Sequence, residues 1–110
     1  MIMTLRELCE FSGTSRRAIQ GYEAAGLVKA SGKNKFGHLE YDEESQERVK
    51  TIRLYQRMGF TLKEIVHFID KENAVIVKAL EERLVQLYKN KSDLEEIIDI
   101  TIDMINKLKN

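Results

Sequence analysis

The C-terminal third of the sequence has apolar residues at alternating intervals of three and four, and this spacing limits the possible folds most. The series runs for more than four heptads from Val77 to Leu108. Lys91 and Thr101 are polar breaks in it, and no glycine or proline interrupts it. The pattern predicts one helix that begins around residues 73–75 and is about 50 Å long at 1.5 Å per residue. Its apolar seam consists of Val77, Leu80, Leu84, Leu87, Leu94, Ile98, Ile105 and Leu108.

A single helix of that length would leave its apolar seam in water. The roughly 70 residues that precede it are too few to cover the whole length, so the helix requires a partner. A second copy of the chain is the simplest partner, which predicts a homodimer with the seam as a coiled-coil interface. The alternative is a helix that folds back on its own N-terminal domain.

The last turns of this helix carry more apolar residues than one seam needs. Together with the seam, they make an apolar surface that spans about 200° at 100° per residue, which one partner helix cannot cover. An antiparallel pair would bring each helix end to the N-terminal domain of the other chain. We expect Val66, Phe68 or Ile69 to cover the additional residues there. Those additional residues are Ile97, Ile100, Ile102 and Met104.

Composition and charge indicate a soluble folded chain whose positive charge is concentrated in one segment. Of the 110 residues, 33% are charged and 43% are hydrophobic. No apolar run is long enough for a membrane span, no signal peptide is recognisable, and the single cysteine excludes an internal disulfide. These features predict a cytoplasmic protein. The net charge is zero, but residues 11–39 hold five basic residues against one acidic residue, whereas residues 42–110 hold 12 against 14.

Capping signals predict further helix starts before the long helix. "TLRE" at residues 4–7 and "TLKE" at residues 61–64 are capping boxes, in which the threonine and the glutamate each satisfy a backbone N–H. Asp42 is followed by two glutamates, which favours a helix start there. We expect two domains, residues 1–72 and residues 73–110.

The stretch between Gly13 and Gly26 predicts the second helix of a helix-turn-helix. This helix begins at Ser15 or Thr14, directly after the glycine turn, and ends at Gly26. In such a motif, the first residues of the second helix contact bases and phosphates in the major groove. Arginine pairs there with guanine and glutamine with adenine. The residues that point away from the apolar stripe of this helix are Arg16, Arg17, Gln20 and Gly21.

A basic hairpin is expected between Val28 and Tyr41, where the helical period stops and two glycines occur. A basic hairpin that follows a helix-turn-helix is the layout of a winged helix-turn-helix. The sequence therefore predicts a mainly α fold: a winged helix-turn-helix with a small β-hairpin wing, followed by a long antiparallel coiled-coil dimerisation helix.

Three stretches resemble the N-terminal domain of the MerR-type transcription regulators. They are "TLRELCEFSGTSRRAIQGYEAAGLV", "FGHLEYDEE" and "IRLYQRMGFTLKEIVHFI", and the resemblance covers residues 3 to about 70. It implies a homodimer that binds a pseudo-palindromic promoter operator, joins its two winged domains by an antiparallel helix pair and distorts the DNA between the half-sites. It further implies double-stranded DNA and RNA polymerase at the promoter as partners. Members commonly carry an effector domain or a metal-binding loop after this helix, and here none is expected.

The resemblance also implies roles for single residues. Arg17 falls on the DNA-contacting arginine of the family's second helix, and Tyr22 falls on its phosphate-contacting tyrosine. The chain departs from the family at Gln20-Gly21-Tyr22, where Arg-Tyr-Tyr is common, and at Gly37-His38-Leu39, where Gly-Tyr-Arg is usual. The family's DNA sequence preference is therefore not carried over. Gly21 is either a lost contact or a point of close approach to DNA.

The sequence contains candidate DNA-binding residues but no catalytic, cofactor or metal site, so the protein is not expected to be an enzyme. Cys9, His38 and His67 are too isolated to form a metal site. Two alternatives remain: a winged protein-interaction module that binds a chaperone or a regulator, and an excision-type architectural protein that bends DNA. The predicted DNA-binding residues are Ser15, Arg16, Arg17, Gln20, Tyr22, Lys33, Lys35, His38, Tyr41, Thr61 and Lys63.

Overall fold

Five helices and three short strands make up the protein. The computed structural model describes residues 1–110 and divides into two units, Met1–Asp70 and Lys71–Asn110. The helices and strands, in chain order, are β1 (Met3–Thr4), α1 (Leu5–Ser12), α2 (Arg16–Ala24), β2 (Gly32–Lys33), β3 (Leu39–Tyr41), α3 (Glu43–Met58), α4 (Leu62–Phe68) and α5 (Asn73–Lys109).

Both predicted capping boxes are confirmed. At the start of α1, the Glu7 N–H donates to Thr4 Oγ1 at 3.3 Å, and the Thr4 N–H donates to Glu7 Oε1 at 3.1 Å. Thr61 and Glu64 make the same pair of bonds at the start of α4, at 3.2 and 3.0 Å. Asp42 caps α3 as expected, because its carboxylate accepts the Ser45 N–H at 2.9 Å. Each bond satisfies a donor that the first helical turn leaves without a partner.

The predicted hairpin is present, but it belongs to a three-stranded antiparallel sheet with the order β1-β3-β2. In the hairpin, Lys33 pairs with Leu39. The additional strand, β1, was not predicted; it pairs Met3 with Tyr41 and Thr4 with Glu40. The wing is therefore attached to the start of α1 as well as to α3, which follows it directly.

The core of the first unit is formed where α1, α2 and β3 pack with α3 and α4. An aromatic cluster extends this core, with Phe60 and Phe68 rings 5.0 Å apart and Tyr55 and Phe68 rings 5.1 Å apart, both edge to face. The residues that are almost completely inaccessible to solvent are Leu8, Ile19, Tyr22, Tyr41, Val49, Ile52 and Ile65.

This packing corrects one expectation about α4. Phe68 and Ile69 were expected to cover the helix end of a second chain, but both are buried in their own unit. Their side chains complete the core around α3 and the aromatic cluster, so they have little surface left to offer. Val66, on the same helix, is 47% exposed and remains available.

Arg48 connects three segments of the first unit. Its Nε donates to the Leu27 carbonyl at 2.9 Å, and its Nη2 donates to Asp70 Oδ2 at 2.9 Å. The guanidinium lowers the pKa of the Asp70 carboxyl below its usual value, mainly through this hydrogen bond. Arg48 thus connects α3 to the loop after α2 and to the C-terminal end of the first unit.

The second unit is the helix α5, and it has no buried residue. Its apolar seam is exposed from Val77 at 47% to Leu108 at 82%, except that Leu80 is half-buried. The C-terminal residues beyond the seam, including Ile97, Ile100 and Met104, are more than half exposed as well. No helix of the protein has the length and apolar character that crossing a membrane requires.

Candidate nucleic-acid interface

The first turns of α2 present three polar side chains to solvent. The helix begins at Ser15, whose Oγ accepts the Ala18 N–H at 3.0 Å. Arg16, Arg17 and Gln20 are all exposed. At 100° per residue these three side chains fall within an arc of about 100°. The arrangement gives two forked guanidinium donors and one amide on a single face of the helix, as the sequence predicted.

The opposite face of α2 is anchored in the core. Ile19 and Tyr22 are buried, and the Tyr22 hydroxyl donates to Gln56 Oε1 of α3 at 2.6 Å. A tight turn precedes the helix: Gly13 has the left-handed φ of 66°, which favours glycine, and the Thr14 N–H donates to the Cys9 carbonyl at 3.2 Å. The exposed face of α2 is thus held rigidly relative to the rest of the unit.

The tip of the wing is also rigid and carries exposed cations. The Gly37 N–H donates to the Asn34 carbonyl at 3.0 Å, and Asn34 Oδ1 accepts the N–H groups of Phe36 and His38 at 2.9 and 3.0 Å. Gly37 has φ 80°, as expected for the left-handed residue of a three-residue hairpin loop. Lys33, Lys35 and His38 are all exposed along this tip.

A hydrogen bond joins the base of the wing to the C-terminal end of α2. The Tyr41 hydroxyl of β3 donates to Glu23 Oε1 of α2. Burial of the ring raises the pKa of Tyr41, and the hydrogen bond to Glu23 raises it further. The positive charge of Arg16 acts on the pKa of the same hydroxyl in the opposite direction.

The predicted DNA contacts of Tyr22 and Tyr41 need correction. Tyr22 is 2% exposed and Tyr41 is 0% exposed. Each hydroxyl already donates to a side chain of the same unit, Gln56 and Glu23 respectively. A ring that is buried in the core and hydrogen-bonded there does not face a phosphate, so both tyrosines are structural residues here.

The remaining predicted residues lie on α4, where the structure gives them different roles. The Thr61 side chain forms the capping box of the helix, donating to Glu64 Oε1 at 3.0 Å. Lys63 is exposed in the same first turn. No hydrogen bond or ion pair connects either residue to α2 or to the wing, and their DNA contacts stay a prediction.

Arg53 was missed by the sequence reasoning. It lies on α3 and is exposed, and a Cβ atom placed on Gly13 would come within 3.8 Å of its guanidinium. Its charge also acts on the Tyr22 hydroxyl. The guanidinium therefore adds a cation next to the α1–α2 turn. The sequence gives no sign of this, because Arg53 lies 40 residues after the turn.

Gly21 lies in the interior of α2, and its surroundings within the chain are open. A Cβ atom built on Gly21 meets no other atom within 4 Å. Nothing in the fold therefore requires a glycine at this position. Either a binding partner such as DNA requires it, or it is a neutral substitution.

The exposed face of α2, the tight turn and the basic wing are the elements of a winged helix-turn-helix. The family described as "MerR HTH family regulatory protein" matches residues 3–72. The chain belongs to the MerR family. Members of this family are DNA-binding transcription regulators and not enzymes, as the sequence predicted.

Similar proteins agree with the MerR assignment over most of the chain. The nodulation protein NolA of Bradyrhizobium diazoefficiens is 33% identical over 100 residues, which are 88% of this chain and 42% of NolA. MtaN, the N-terminal part of the Bacillus subtilis multidrug transporter activator, has a similar structure, with a TM-score of 0.73 and 30% identity over 92% of this chain and 94% of MtaN.

A third similarity concerns the fold alone. HiNmlR, described as a MerR family regulator lacking the sensor domain and bound to promoter DNA, matches with a TM-score of 0.72 at 18% identity, over 90% of this chain and 80% of HiNmlR. The chain spans less than half the length of the curated relatives that it matches, such as 38% of the Bacillus subtilis activator mta. The predicted fold class is confirmed, including the wing and the long C-terminal helix.

Proposed function

We propose that this MerR-family chain is a homodimeric, sequence-specific transcription regulator. It binds a pseudo-palindromic promoter operator and distorts the DNA between the two half-sites. RNA polymerase at the distorted promoter is the second proposed partner, and the cytoplasm, where bacterial DNA lies, is the proposed location. Support comes from the family match and from the likeness to HiNmlR, which is described as bound to promoter DNA.

The observation that carries the DNA-binding part is the exposed face of α2. Arg16, Arg17 and Gln20 extend from one arc of a helix whose other side is buried. Arginine donates in a bidentate way to O6 and N7 of guanine, and glutamine pairs with N6 and N7 of adenine. A rigid helix that presents these groups in a fixed arrangement discriminates bases, because each correct bidentate pair contributes about 1–3 kcal/mol.

The wing supplies cations to the same interaction. Lys33 and Lys35 are exposed on the hairpin, and Arg53 adds a third cation near the α1–α2 turn. Lysine on a phosphate contributes affinity that depends on salt but not on sequence. We therefore divide the interface into a base-reading part on α2 and a phosphate-binding part on the wing and α3. Ser15 joins the second part, because its hydroxyl caps α2 as an acceptor and retains its own hydrogen for donation.

The exposed seam of α5 supports the homodimer. Its apolar residues are arranged at the intervals of a coiled coil and none of them is buried within the chain. Burial of each large seam residue against a second helix would contribute about 1.5–3 kcal/mol before ordering costs. Eight such positions are enough to make a stable dimer. The seam proposed as the interface is Val77, Leu80, Leu84, Leu87, Leu94, Ile98, Ile105 and Leu108.

An antiparallel arrangement of the two helices explains the width of the apolar surface near the C-terminus. Ile97, Ile100 and Met104 extend that surface beyond the seam and are more than half exposed. In an antiparallel pair these residues reach the other chain's first unit, where Val66 offers exposed apolar surface. A parallel pair would leave them in water.

Selection from random duplex DNA, followed by salt titration of the selected sequences, tests the proposal. We expect an inverted repeat with two half-sites, and an affinity at least about 1,000-fold above that for random duplex. A ratio near one would contradict sequence-specific regulation and favour an architectural DNA-bending protein. No binding to any duplex at low salt would contradict DNA binding altogether and favour a protein-interaction module.

A further inference from the structure

The most exposed aromatic ring of the protein is at the tip of the wing. Phe36 is 72% exposed, more than Phe11 or Tyr88, the other two exposed aromatic residues. Its ring belongs neither to the core of the first unit nor to the apolar seam of α5. A single exposed phenylalanine is common on protein surfaces. Its position between cations, on a rigid loop, is what requires an explanation.

The loop holds the backbone of Phe36 in a fixed position. The backbone N–H of Phe36 donates to Asn34 Oδ1 at 2.9 Å, and the same oxygen accepts the His38 N–H at 3.0 Å. The Asn34 N–H in turn donates to the His38 carbonyl at 2.9 Å. Because the turn is closed by these bonds, the ring can enter a binding partner without the cost of ordering the loop.

The surroundings of the ring are cationic rather than apolar. Lys35 Nζ lies 5.1 Å from the centre of the Phe36 ring, and the His38 ring is 6.4 Å away. Lys33 is exposed on the adjoining strand. An aromatic ring that served a protein–protein contact would be expected among other apolar residues, which the wing tip does not supply. A ring flanked by lysines matches a surface that is apolar in the middle and negatively charged on both sides.

We propose that Phe36 enters the minor groove of the operator as an apolar wedge, with Lys33 and Lys35 on the phosphates that border the groove. The minor groove is about 6 Å wide and lies between two rows of phosphates, so a narrow hairpin tip with one central ring fits it. Apolar side chains that press between base steps from this side bend the duplex. The inference rests on the proposed function and adds to it a residue that bends the DNA at the wing contact beside each half-site.

Affinity measurements with matched variants test the wedge. Phe36→Ala should bind the selected operator at least about 30-fold more weakly, because the proposed dimer loses one ring–base contact at each of its two half-sites. The dependence of its affinity on salt should equal that of the wild type, because no charge is lost. Lys35→Ala should instead reduce the slope of log affinity against log salt by about two, one for the lysine lost at each half-site. Phe11→Ala is the control, since that ring is also exposed and also has a lysine, Lys50, 5.1 Å from its centre; its affinity should stay within about twofold of the wild type.

Two further measurements locate the ring. The chain has no tryptophan, so Phe36→Trp introduces a single indole whose emission should be quenched and protected from acrylamide when the operator is added. Two duplexes can be compared that have either G·C or inosine·cytosine (I·C) pairs beside each half-site. The G·C duplex has the guanine amino group in its minor groove, and the I·C duplex lacks it. Wild-type protein should prefer the I·C duplex, and Phe36→Ala should bind both equally.

The outcomes separate this inference from the proposed function. If the wild type binds the operator and Arg17→Ala weakens binding, but Phe36→Ala binds as the wild type and the indole emission does not change, the wedge is refuted and the regulator proposal stands. If Phe36→Ala is weaker but the G·C and I·C duplexes are bound alike by the wild type, the ring does not occupy the minor groove and the inference fails. If the wild type binds no duplex, the proposed function itself fails.

Discussion

Gly21→Ala should stabilise the protein, although it fills no cavity. Gly21 lies within the nine-residue helix α2, and a Cβ atom at this position meets nothing within 4 Å. Alanine is more favourable than glycine in a helix interior by about 0.8–1.0 kcal/mol, because the unfolded chain loses less conformational freedom. With no steric cost to subtract, the free energy of unfolding should rise by about 1 kcal/mol. For a domain of this size, the thermal midpoint should rise by about 4–8 °C.

Gly26→Ala is a matched control for this substitution. Its added Cβ also meets nothing within 4 Å, but Gly26 has φ 76°, in the left-handed region. Alanine is strained there by about 1 kcal/mol, so this variant should be less stable than the wild type. Urea unfolding at one protein concentration, followed by circular dichroism, compares all three proteins. A Gly21→Ala protein that is no more stable than the wild type would show that the reasoning about α2 is wrong.

The same variant decides between the two interpretations of Gly21. If the glycine is only a lost contact, Gly21→Ala should bind the selected operator as tightly as the wild type. If the glycine allows DNA to approach the helix backbone, the methyl group should weaken binding although the protein is more stable. Stability and affinity would then change in opposite directions, which a general folding defect cannot produce.

The remaining predictions concern recognition, the dimer and acid stability. Arg17→Ala should weaken specific binding by about 1–3 kcal/mol without changing the thermal midpoint, because the side chain is exposed; unchanged affinity for the selected operator would contradict the role of α2. With the native cysteine removed, cysteines at Leu80 and Ile105 should cross-link two chains, whereas a cysteine at Leu80 alone should not bridge to its own copy, as it would in a parallel coil. The Arg48 guanidinium lowers the pKa of Asp70, so the ion pair should stabilise the folded protein. Because Asp70 is exposed, this contribution should be below about 1 kcal/mol. It should be present above about pH 4, the pKa of an unfolded aspartate, and should be lost as the pH falls through the lowered pKa. Asp70→Asn should therefore be slightly less stable than the wild type at pH 6 and equal to it at pH 2 in urea unfolding.

The elements that could be predicted from the sequence are those that depend on neighbours in the chain. The starts at Thr4, Asp42 and Thr61 are each fixed by a bond between residues three apart, which a sequence shows directly. The exposed face of α2 follows from the helical period alone. The strand β1 could not be predicted, because it has only two residues and pairs with residues at the end of β3, near position 40.

The errors in the candidate site have a related cause. Tyr22 and Tyr41 have a hydroxyl that suits a phosphate and a ring that suits a core, and the sequence does not say which use prevails. The tertiary acceptors Gln56 and Glu23, 34 and 18 residues away, decide it in favour of the core. Arg53 was overlooked for the same reason, since only the packing of α3 against the α1–α2 turn brings its charge to the proposed interface.

The hydrogen bond between Tyr41 and Glu23 fixes the distance between two reading elements. Because it joins the base of the wing to the C-terminal end of α2, neither can move along the DNA without the other. The number of base pairs between the major-groove contact of α2 and the flanking contact of the wing is therefore constant. We expect operators of this protein to tolerate changes of base identity in that interval better than the insertion or deletion of a single base pair.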